Sequence, residues 1–139
     1  MDRLLDAQSA GPTYLRMPAI VQVLVDAIKQ GASSYYRSHA WVVMPNHAHL
    51  LITPQIDPRT LLRNLKGVSS REANKLLGRT GQAFWQDESY HRLVPSQEEF
   101  GRIEDFIVQN PVRAGLAHSP QEYSWSRVSV AGGLKPAAG

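Results

Sequence analysis

The chain has 139 residues, 42% of them apolar, enough for one compact domain, and no cysteine, which excludes disulfides, thiolate catalysis and cysteine-held zinc. Its net charge of +3 is unevenly spread: from Arg59 to Arg79 six basic side chains face one acid, Glu72, so that segment carries +5 and the rest −2. No apolar run approaches the roughly 20 residues of a membrane span, and Met1–Asp6 lacks the apolar core of a signal peptide, so a cytoplasmic protein with no membrane partner is expected.

Residues 1–16 read as irregular, with Gly11-Pro12 as breakers. From Pro18 to Gln30, Ile20, Val23, Leu24, Ala27 and Ile28 form one helical stripe, and Gly31 is expected to close that helix. Tyr35–Met44 and His47–Thr53 are β-branched and aromatic runs meeting at Pro45-Asn46, the pattern of a hairpin. Asp57-Pro58 supplies an N-cap and a first-turn proline for a helix whose apolar side holds Leu61, Leu62, Leu65 and Val68. Gly67 and Ser69-Ser70 are candidate interruptions, and Gly78 ends a second helical stretch. Phe84–Val94 leads into a strand with Tyr90 and Arg92 on one face and His91 and Leu93 on the other. Ser96 with Glu99 makes a capping box, Phe100, Ile103, Phe106 and Ile107 follow at helical spacing, and Asn110-Pro111 is expected to end that helix. The tail reads as a covering segment carrying Tyr123 and Trp125, then disorder over 131–139. The whole of 1–139 is expected to be a single domain. Its element order suggests an α+β, ferredoxin-like antiparallel sheet with helices packed on one face.

Two features carry chemistry. His47 and His49 are two apart on a strand, so their imidazoles leave the same face side by side, as nitrogen donors for a divalent cation. Asn110, four residues after Phe106 on the crossing helix, offers a third, oxygen ligand; two imidazoles and an oxygen with open positions suit Mg²⁺ or Mn²⁺. The basic side chains Arg59, Arg63 and Lys66, with Arg71, Lys75 and Arg79 as a second group, are candidate phosphate contacts.

The segment Ala40-Trp41-Val42-Val43-Met44-Pro45-Asn46-His47-Ala48-His49-Leu50-Leu51 resembles the HUH motif of single-tyrosine transposases. Phe106-Ile107-Val108-Gln109-Asn110-Pro111-Val112-Arg113-Ala114-Gly115-Leu116 resembles a second hallmark, that of the REP-associated tyrosine transposases; Leu65-Lys66-Gly67, Phe84-Trp85-Gln86 and Tyr123-Ser124-Trp125-Ser126 fit the same branch. The resemblance implies an HUH nuclease fold and a metal-dependent enzyme that cleaves and rejoins single-stranded DNA, often beside a hairpin, through a 5′-phosphotyrosine link. It implies that His47, His49 and Asn110 hold the metal and that position 106 holds the nucleophile. Arg113 joins the candidate DNA contacts.

Position 106 is phenylalanine, which has no hydroxyl to attack phosphorus. The chain is therefore expected to bind DNA without cutting it, as a cleavage-deficient transposase or as a non-catalytic single-stranded or hairpin DNA-binding domain, with Tyr90 the remaining candidate nucleophile. Monomer and homodimer both stay open. Relatives begin with a strand before the first helix, whereas the region before Pro18 has little strand character, which leaves open a sheet short of that strand.

Overall fold

A computed structural model of the chain describes residues 2–9 and 14–128. The elements run β1 (Arg3–Ser9), α1 (Pro18–Ser34), β2 (Tyr36–Val43), β3 (His47–Pro54), α2 (Pro58–Leu77), β4 (Trp85–Leu93), α3 (Gln97–Arg113) and β5 (Ser126–Val128). The strands form one antiparallel sheet in the order β4-β1-β3-β2-β5. The first four strands with α1 and α2 are the expected ferredoxin-like unit, and β5 extends it along β2. The expected tail over 131–139 lies outside the described residues.

Two expectations about this sheet are corrected. The first strand is present: residues 3–9 are not irregular but form β1, paired with β3 and β4 on its two sides. The reason lies in adjacent Leu4 and Leu5, both buried, whose side chains go to opposite faces. A strand apolar on both sides in succession belongs inside a sheet covered on both faces. The helices also do not share one face. Leu5, Trp41, Val43, Leu50 and Ile52 pack with α1 and α2, whereas Leu4, Ala40, Val42 and Leu51 pack with Ile103 and Ile107 of α3 on the other face.

The helices run longer than their local signals suggest. Gly31 does not close α1 but lies buried within it, because a Cβ there would stand 2.7 Å from Cε2 of Tyr36. The buried Tyr36 hydroxyl donates to the carbonyl of Ile28 at 2.5 Å, locking the end of α1 to β2. Helix α2 is a single helix, capped by Asp57, whose side chain accepts from the Thr60 N–H at 3.1 Å, and closed by Gly78 at φ +69°. Gly67 and Ser69-Ser70 do not break it: the Ser69 hydroxyl donates to the carbonyl of Leu65 at 2.7 Å and accepts from Nε1 of Trp85 at 2.9 Å, joining α2 to β4.

In α3 the Ser96 hydroxyl accepts from the Glu99 N–H at 3.1 Å, while the Glu99 carboxylate turns to Arg92 and Arg102 instead of closing the capping box. The helix does not end at Asn110-Pro111. Pro111 is buried inside it, and the turn closes further on, where Gly115 takes φ +75° and the N–H groups of Gly115 and Leu116 bond the carbonyls of Val112 and Pro111 at 3.0 and 2.9 Å. A proline this near the C-terminus removes one helical hydrogen bond while its ring fills the core.

Candidate functional site

His47 and His49 lie on β3 on the sheet face that α3 covers, since they keep the alternation of Leu51. The two rings stand with centroids 4.8 Å apart at 68°. Each presents its Nδ1 to the protein. Nδ1 of His47 lies 2.8 Å from the Asn46 side-chain oxygen. Nδ1 of His49 lies 2.5 Å from a carboxylate oxygen of Asp6, close in charge terms but out of line for a hydrogen bond. With Asn46 bonded to Nδ1 of His47 and the Asp6 carboxylate set beside Nδ1 of His49, Nε2 is the nitrogen each ring has for a ligand, the donor chemistry of a cation held by two imidazoles. Burial lowers the pKa of His47, reinforced by neighbouring His49 and opposed by Asp6, so its ring is held neutral, the form that ligates.

Asp6 escapes a reading of the sequence. It sits on β1 directly opposite His49 in the cross-strand register, so the two side chains share a face. A lone acid after two leucines was its only local signal, and nothing local says which strand β1 will pair with.

Helix α3 brings Phe106 over the same face, its ring centroid 5.3 Å from that of His49 at 72°. Phe106 remains 40% exposed, so it is not simply core. Arg113, nearly two turns on, holds its guanidinium carbon 5.9 Å from the Phe106 ring centre and lies 4.0 Å from Asp105. Asn110 is half-buried on α3 between them; among the described residues no hydrogen bond joins its side chain to either histidine. No third histidine, aspartate or glutamate among the described residues completes a metal cluster with the pair. Tyr90 stands opposite Asp6 in the register of β4, and its side chain is outside the described residues.

The basic residues of α2 lie on the opposite side of the sheet. Arg59, Arg63 and Lys66 line an open groove of about 400 Å³ with Leu62 and with His91 of β4, whose Nδ1 is buried without a hydrogen-bond partner among the described residues. Lys66 also donates to the carbonyl of Gln86 at 3.0 Å. Arg71 and Lys75 line a second groove of about 330 Å³ with Ser70, Asn74, Thr80 and Gln82. Arg79 bonds the Gln82 side-chain oxygen at 3.2 and 3.1 Å through two nitrogens. Arg59, Arg63 and Lys66 thus line one groove along α2 and Arg71 and Lys75 another, with Arg79 just past the Gly78 cap of that helix.

A family profile described as "Transposase IS200 like" matches residues 19–110, a span that holds both histidines, Phe106 and Asn110. This chain belongs to the IS200-like transposase family. No curated protein matches it in sequence. Among solved structures, that of a REP-associated tyrosine transposase bound to a REP hairpin is similar at a TM-score of 0.73 and 19% identity, over 90% of this family member and 74% of that chain. A provisionally named transposase from Deinococcus radiodurans R1 is similar at a TM-score of 0.57 and 22% identity, over 77% and 88% of the two chains. At these identities the likeness is one of fold. No helix among the described residues of this IS200-like chain is long and apolar enough to cross a membrane.

Proposed function

We propose that this member of the IS200-like transposases binds single-stranded or hairpin DNA of the REP type and, as the chain stands, does not cut it. The observation that carries the reading is Phe106: it lies on α3 with its ring 5.3 Å from that of His49, where a tyrosine would bring a phenol to the histidine pair. A phenyl ring in that place keeps the packing and lacks the attacking oxygen.

His47 and His49, through Nε2, would hold one divalent cation, Mg²⁺ or Mn²⁺, and Asn110 is the amide that could join them from α3. When bound, such a cation draws charge from a phosphodiester and holds it for in-line attack. The protein's own part is positional. Asn46 bonds Nδ1 of His47, the Asp6 carboxylate lies against Nδ1 of His49, β3 keeps the rings on one face, and α3 roofs them. The basic groove of Arg59, Arg63 and Lys66, and that of Arg71 and Lys75 near Arg79, support phosphate contacts on the far face, and Arg113 supports one beside Phe106. A hairpin-bound relative of the same fold adds support for such a substrate.

The test is Phe106→Tyr on a single-stranded hairpin substrate. The substituted chain should yield a denaturation-resistant protein–DNA species that requires divalent metal and is lost with His47→Ala or His49→Ala. The unmodified chain should bind the hairpin and give no such species. An adduct formed by the unmodified chain would refute the assignment of position 106 and make Tyr90 the residue to replace next. A non-catalytic role in hairpin binding rests on the same phenylalanine, and failure of Phe106→Tyr to cut DNA that it binds would favour it.

A further inference from the structure

Phe106 is an anomaly by the standards of its own helix. Ile103 and Ile107 beside it are buried, 4% and 0% exposed, yet Phe106 leaves 40% of its surface open. The ring stands nearly perpendicular to the His49 imidazole, at 72°. Arg113 stands over it at 5.9 Å, too far for a closed guanidinium–ring stack. The arginine is held loosely: its ion pair to Asp105, the one it makes among the described residues, is 4.0 Å long, and both side chains are more than half exposed. Two planar groups therefore stand apart over the donor face, one rigid on a helix and one able to swing.

We propose that this slot takes a nucleobase of single-stranded DNA, stacked on Phe106 and covered by the Arg113 guanidinium. A base between two planes needs about twice the ~3.4 Å spacing of stacked bases, so Arg113, now 5.9 Å from the ring centre, has to move outward by at least about 1 Å. Unpaired bases are commonly held on aromatic rings and on guanidinium planes. The occupant fits the charge as well: a nucleotide brings its phosphate to Arg113 and to the imidazole pair, whereas an apolar side chain of a protein partner would leave the guanidinium unanswered. The slot rests on the DNA reading above and gives the phenylalanine a task that needs no hydroxyl.

The experiment compares an oligothymidylate with the same sugar–phosphate oligomer stripped of its bases, both fluorescein-labelled, on the full chain without added metal. Phe106→Leu should bind oligothymidylate about tenfold more weakly than the unmodified chain, the loss of one stacked base. Phe106→Tyr should bind like the unmodified chain. Arg113→Lys keeps the charge but loses the plane and should show a smaller loss. On the abasic oligomer all four proteins should bind alike. A 2-aminopurine in the oligomer should be quenched by the unmodified chain and by Phe106→Tyr but not by Phe106→Leu. Equal binding of oligothymidylate by Phe106→Leu and the unmodified chain overturns the slot while leaving DNA binding intact. No binding of either oligomer or of hairpin DNA by the unmodified chain overturns the DNA reading and the slot together.

Discussion

Replacing Asp6 by asparagine isolates what the β1 carboxylate does for His49. The two side chains are nearly isosteric, and the Asp6 side chain is 38% exposed, so the change should cost the fold well under about 1 kcal/mol. The His49 side chain is only 11% exposed, so the contact at 2.5 Å lies on the dry side of the pair, where a charge matters most. An outer carboxylate on a ligating imidazole typically governs metal affinity by 10–100-fold, about 1.4–2.7 kcal/mol. Asparagine still offers an oxygen without the charge, so Asp6→Asn should weaken Mn²⁺ binding by about tenfold and Asp6→Ala by nearer a hundredfold. Titration calorimetry with Mn²⁺ reads the affinity. Nitrogen-15 NMR of the imidazoles in metal-free protein reads the tautomer, which should shift away from Nδ1–H at His49 and not at His47, held by Asn46. Unchanged affinity together with an unchanged His49 tautomer would refute the idea that Asp6 sets this ligand.

Three further outcomes follow from the fold and its charge. Gly31→Ala should destabilise the chain by about 1–2 kcal/mol in denaturant titration, because overpacking against Tyr36 and strain on its hydrogen bond exceed the ~1 kcal/mol gain in helix propensity; a stabilised variant would contradict the packing argument. His39 faces Thr53 at 2.7 Å and Asp2 at 3.9 Å, with its ring centre 5.1 Å from that of Phe100, and burial, with Arg37 adding to it, lowers its pKa despite the Asp2 charge. The unfolded chain therefore binds the extra proton first, so stability should fall as pH drops below about 6.5 and level off below the folded value, and a His39→Gln chain whose melting temperature falls just as steeply over that range would rule the residue out. Replacing Arg59, Arg63 and Lys66 together by glutamine should reduce the salt dependence of hairpin binding by about 0.7–0.9 per true phosphate contact, with electrophoretic or anisotropy titrations at several salt concentrations as the measurement; an unaltered slope would mark the groove as a solvated surface.

Local signals were enough where chemistry and spacing coincide. The alternation around His47 and His49, the Asp57-Pro58 start and the Ser96 cap each act within a few residues, and each stands as read. What could not be read locally depends on distant partners. Leu4-Leu5 looks too short for a strand until β3 and β4 flank it, and Asp6 becomes part of the site only through that same pairing. The shared face of α1 and α2 and the opposite face of α3 are set by how the chain crosses the sheet, not by the amphipathic stripe of any one helix. Pro111 reads as a stop by backbone rules, yet burial in the core carries α3 through it. His39 owes its place on the α3 face to a register shift between Ser38 and Ala40, and a bulge leaves little trace in composition.

The interior position of β1 also bears on how the molecule assembles. Its partners are remote along the chain: Arg3 pairs with Ile52 on one side and with Leu93 on the other. Helix α1 and the β2–β3 hairpin can form from neighbouring residues, but the Asp6–His49 contact must wait for closures of long loops, the slow class of folding event. During synthesis β1, which precedes the other strands of this sheet, is thus without its partners until the hairpin and then β4 follow. The wall of the site is finished late, and a partly made chain carries the two histidines before Asp6 stands against His49.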